Sequence, residues 1–94
     1  MPIMSVSEFE AVLNRVRMKV EKALVQRPHT PPLQQAQRTI DHANRIARDP
    51  KELKAYRENV NQLGATLREE LSNDGDIVDL TWDLVDFIDY RVNP

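Results

Sequence analysis

Residues Asp74–Pro94 read DGDIVDLTWDLVDFIDYRVNP. Ile77, Leu80, Leu84, Phe87 and Ile88 recur in it at three- and four-residue spacing, the mark of one helical face. Val78, Trp82, Val85 and Val92 widen the apolar arc past half the circumference, more than a surface helix needs. Such a helix either sits centrally among others or keeps part of its arc for a partner. Just upstream, Ser72-Asn73-Asp74-Gly75 reads as a turn, with Asp74 or Asp76 as the helix cap.

Three more helices are expected before it. Leu53, Tyr56, Val60, Leu63, Leu67 and Leu71 follow a heptad seam in one continuous helix, opened by the capping box Asp49-Pro50-Lys51-Glu52. Gly64 interrupts that helix at a propensity cost of roughly 1 kcal/mol against Ala. It reads as a close helix crossing, with approach of a ligand to the backbone as the alternative. Ahead of this segment, Thr30-Pro31 starts a helix carrying Leu33, Ala36, Ile40, Ala43 and Ala47. Its alanines bury little area, at about 25 cal/mol per Å², so it depends on its neighbours. The first helix starts at Ser5 or Ser7, each followed three residues later by Glu. If Ser5 is the cap, Met4 and Phe9 stand where a hydrophobic staple would form. Phe9, Val12, Leu13, Val16, Val20, Ala23 and Leu24 make its stripe, and Arg27 before Pro28 ends it.

The expected fold is therefore all-α, a single domain over residues 1–94 built as an antiparallel four-helix bundle, since the loops are short. A chain of 94 residues can close one core but has little room for a deep substrate cavity besides. Apolar residues at 40% and charged residues at 30% fit a globular protein rather than a disordered one. Cysteine is absent, which removes disulfides, thiolate zinc sites and cysteine nucleophiles. The opening MPIMSVSEFE lacks the blocks of a signal peptide, and no apolar run is long enough for a membrane span. A cytoplasmic location with no membrane partner is expected.

Charge is unevenly placed. Residues 1–73 hold twelve Lys or Arg against nine Asp or Glu, whereas Asp74–Pro94 hold one Arg against six Asp. At 100° per residue, Asp76, Asp79, Asp83 and Asp86 fall within an arc of about 80°, with Tyr90 inside it and Trp82 at its border. A solvated bundle face would look similar, and the macrodipole accounts for Asp76 near the helix start. Neither explains why all six acids are Asp, the poorer helix former. A short carboxylate loses less side-chain entropy on docking than Glu, so Asp76, Asp79, Trp82, Asp83, Asp86 and Tyr90 form the candidate partner-binding face.

Along the second helix run Arg38, His42 and Arg45, with Arg48 beside them. They can be a solvated face, pair with the Asp stripe inside the bundle, or bind phosphates. Nucleic acid is not expected, because the chain is net acidic and its aromatics accompany Asp rather than the basic residues. No His pair has metal-ligand spacing, no Gly-rich phosphate loop occurs, and no Ser-His-acid set is evident. No metal, no cofactor and no catalytic residue is expected.

The layout of EFEAVLNRVRMKVEKALVQRP, PPLQQAQRTIDHANRIARD, KELKAYRENVNQLGATLREEL and DLTWDLVDFIDYRV resembles the small all-α immunity proteins of bacterial type VI secretion. In particular it resembles those that neutralise an NAD-hydrolysing effector. The resemblance spans roughly Val6 to Val92 and rests on layout, not on a diagnostic motif. It implies a non-catalytic protein that binds a cognate protein toxin in the cytoplasm of the producing cell. A self-associating helical adaptor, such as a phage-encoded regulatory module forming a homodimer through the last helix, is the alternative reading.

Overall fold

The computed structural model describes residues 5–92, in which every regular element is helical. Five α-helices follow in order: α1 (Val6–Gln26), α2 (Pro31–Ile46), α3 (Pro50–Ala55), α4 (Arg57–Glu70) and α5 (Gly75–Phe87). A π-helical turn, Ile88–Val92, completes the last one.

Local chemistry sets the helix starts. Ser5, not Ser7, caps α1: its Oγ accepts the Glu8 amide at 3.2 Å and donates to Glu8 Oε1 at 3.3 Å. The proposed staple partner Met4 lies outside the described residues. Asp49 accepts the amides of Lys51 and Glu52, and Asp74 accepts that of Asp76, so both loops end in a carboxylate cap. Thr30 precedes α2, but its hydroxyl donates to the Arg27 carbonyl and leaves the helix amides uncapped by its side chain. Helix α1 ends at Gln26, one residue before the Arg27-Pro28 stop.

One expected helix is broken in two. The Leu53–Leu71 seam is interrupted at Tyr56 (φ −93°, ψ 3°), whose amide is shared between the Glu52 and Leu53 carbonyls at 3.0 and 3.1 Å. No proline or glycine stands there, so the cause is tertiary. The Tyr56 ring packs on His42 of α2 at 4.5 Å between centroids, and the next residue, Arg57, reaches Asp89. The break lets α3 lie against the π-helical turn while α4 packs on α2 and α5.

Neighbouring helices meet in the order α1–α2–α4–α5–α1. Phe9 stacks on Phe87 with ring centroids 4.6 Å apart, and Lys19 meets Asp74 at 2.6 Å, so α1 and α5 run in opposite directions. Glu10 with Arg48 and Arg17 with Asp41 set α2 against α1 in the same way. The core gathers Phe9, Leu13, Val16 and Val20 from α1 with Leu33 and Ile40 from α2. Leu63 and Leu67 from α4 meet Ile77, Leu80, Leu84 and Phe87 from α5 in the same cluster.

Gly64 sits where α4 crosses α5. A Cβ there would lie 3.3 Å from Thr81 Cβ and 2.8 Å from Arg68 Nη1, so the close-crossing reading accounts for it. The broad arc of α5 is mostly absorbed by the core: Val85 is buried with Thr81, while Val78 and Trp82 stay 42% and 47% exposed. Among the described residues no helix is long and apolar enough to cross a membrane.

Candidate functional site

Helix α5 separates its six acids into two classes. Asp74 and Asp89, at its two ends, are held by cations from other helices. Lys19 Nζ donates to Asp74 at 2.6 Å, and that hydrogen bond keeps the Asp74 carboxyl below its usual range. Arg57 grips Asp89 with two parallel bonds, Nε at 2.9 Å and Nη2 at 3.1 Å, and likewise lowers its pKa. These two carboxylates fix α5 to α1 and α4.

The other four behave differently. Asp76, Asp79, Asp83 and Asp86 share an open groove with Leu80 and Trp82, and none has an ion-pair partner among the described residues. Their span of ten residues corresponds to about 15 Å of helix. Asp83 is partly buried, and this burial raises its carboxyl pKa, with the charges of Asp86 and Asp79 as the smallest contributions.

Trp82 is pinned rather than loose. The Arg68 guanidinium lies 4.5 Å from its ring centroid and donates from Nη1 to Thr81 Oγ1 at 3.0 Å. Thr81 is itself buried and donates to the Ile77 carbonyl at 2.8 Å. One aromatic ring is therefore supported by α4 while still half exposed beside the carboxylates, a geometry suited to anchoring.

Tyr90 is 72% exposed but does not line the groove. It belongs to the π-helical turn, where each residue rotates less about the axis than in an α-helix, so the arc drawn at 100° per residue no longer holds. The structure adds Arg15 of α1, which lines the groove opposite the stripe. Neither Arg15 nor Arg68 carried a sequence signal, since both roles depend on which helices become neighbours.

The basic stripe of α2 does not pair with the Asp stripe. Arg48 reaches Glu10 on α1, Arg38 donates weakly to Gln35, and His42 is occupied by the Tyr56 ring. Arg45 has no polar partner among the described residues. No cluster of three or more His, Asp or Glu among the described residues is arranged to hold a metal ion. Comparison of the chain with family models, with curated proteins and with solved structures returns no match.

Proposed function

We propose that this protein is a non-catalytic binding module that docks a basic surface of another protein into the acidic groove of α5. The single observation behind this reading is the division of labour along α5. Two Asp serve the fold, while four others have no ion-pair partner among the described residues and surround a half-exposed, braced Trp82. Removing their mutual repulsion with a cationic partner is a gain available only on binding. Complementary charge also speeds encounter, and the tryptophan supplies contact area with little rotamer entropy left to lose.

The layout resemblance makes that partner a cognate secreted toxin, with an effector acting on NAD or another nucleotide as the narrower form. That step rests on the layout alone. The same reading takes the fold as an up-down antiparallel four-helix bundle in which α3 is a bent lead-in to α4. The opposed register of α1 with α2 and with α5 supports it.

Self-association through α5 is disfavoured by the same groove. A two-fold interface sets a patch against its own copy, which would bring four carboxylates against four more. The test is capture by the tagged protein from lysate of its producing cells, beside an Asp79→Asn, Asp83→Asn, Asp86→Asn variant. A stoichiometric partner retained by the wild type and lost by the variant supports the proposal. Rescue of cells expressing that partner then establishes inhibition. Equal retention by both proteins refutes the groove. A species of twice the monomer mass that Trp82→Ala dissociates would instead favour the homodimer.

A further inference from the structure

The α1–α2 face carries a second charged depression, which shares no lining residue with the acidic groove. Arg17 of α1 and Arg38, Asp41, Asn44 and Arg45 of α2 surround it. Positions 38, 41 and 45 follow each other at three and four residues and so stand on one side of α2. Three guanidinium groups face one carboxylate there, leaving a local charge of about +2 in a chain of net −2.

All three arginines have unused donors. Arg17 Nη2 meets Asp41 Oδ1 at 2.8 Å, yet its Nε is buried and makes no hydrogen bond. A buried donor without an acceptor is costly, by more than the bond itself is ordinarily worth. Arg45 is exposed and unpaired among the described residues. Arg38 is bound only weakly, to Gln35 at 3.4 Å, and Asn44 stands exposed beside them with an amide donor. Elsewhere on the molecule Lys19, Arg27, Arg48, Arg57 and Arg68 each engage an acceptor on another helix.

We propose that Arg17, Arg38, Asn44 and Arg45 form a binding site for a compact phosphate-type dianion. Guanidinium forks match tetrahedral oxyanions bidentately, and a turn of the Arg17 guanidinium toward the anion gives Nε the acceptor it lacks. Asp41 holds Arg17 across the helix pair and keeps the site from being a bare cationic patch. A compact dianion meets only the local positive charge. An extended polyanion would also meet the acidic remainder of the chain, so a nucleic acid is the poorer fit.

The site is tested on the full chain by amide and side-chain NMR titration with inorganic phosphate, against sodium chloride at matched ionic strength. Saturable shifts centred on Arg17, Arg38, Asn44 and Arg45 with phosphate, and not with chloride, are expected. Arg45→Gln removes an exposed, unpaired side chain, so the fold is retained, and affinity should fall about tenfold. Equal shifts with chloride, or unchanged affinity in Arg45→Gln, would overturn the proposal. So would shifts that appear only with a short oligonucleotide, which would make the face a nucleic-acid surface. The readout is independent of the acidic groove, so either proposal can fail alone.

Discussion

If the α5 stripe is held against its own repulsion, neutralising its most encumbered member should stabilise the free protein. Asp83 is that member, with Asp79 four residues before it and Asp86 three residues after. Like charges at these helical spacings each cost about 0.2–0.5 kcal/mol, so Asp83→Asn should gain roughly 0.4–1 kcal/mol. Asn and Asp have similar helix propensity and shape, which leaves charge as the main change. For a domain of this size the gain corresponds to a rise of roughly 2–6 °C in melting temperature near neutral pH. The pH dependence has a definite sign. Burial raises the folded Asp83 pKa above the unfolded value, so the group costs nothing when protonated in both states. The cost develops as pH rises through the unfolded value of about 3.9 and is complete above the folded one. The advantage of Asp83→Asn should therefore vanish near the acid end and shrink in high salt. Thermal melts of both proteins across pH and salt measure it. A lower melting temperature for Asp83→Asn at neutral pH would refute the reasoning, because it would mean that Asp83 has a stabilising partner.

Asp74 and Asp89 should behave in the opposite sense. Their folded pKa values are depressed by Lys19 and Arg57, so their stabilisation is present above the unfolded value and is lost as pH falls through the folded ones. Asp89→Asn should lower the urea midpoint slightly at neutral pH and make no difference once the wild-type carboxylate is protonated. Leu67→Ala, at a fully buried position between α4 and α5, should cost about 2–5 kcal/mol in urea unfolding. Trp82→Ala should change stability by only about 1 kcal/mol, the order of its stacking with Arg68. Measured by calorimetry with the captured partner, the same variant should lose about 2 kcal/mol or more of binding, and a smaller loss would remove Trp82 as the anchor.

Much of the candidate site was legible because α-helical periodicity is local. Asp76, Asp79, Asp83 and Asp86 share a face once the segment is helical, whatever packs against it. Asp74 and Asp89 fall outside that arc in the sequence, and the tertiary structure alone supplies their partners, Lys19 and Arg57. Tyr90 was placed on the stripe by assuming α geometry to the end of the segment, and the π-helical winding removes that assumption. Arg15 and Arg68 could not be found in advance, since the groove that Arg15 lines and the ring that Arg68 supports belong to another helix.

The sequence by itself determined the all-α class and where most helices begin and end. Ser5, Asp49 and Asp74 satisfy free amides within three residues of themselves, and Pro28 limits the residue before it, so no distant contact is needed. The tertiary structure alone decided the break at Tyr56, because the energies of helix continuation and of packing on His42 are compared only once α2 is in place. It likewise decided which charges are spent on the fold and which remain free, since ion pairing depends on separation in space and not along the chain.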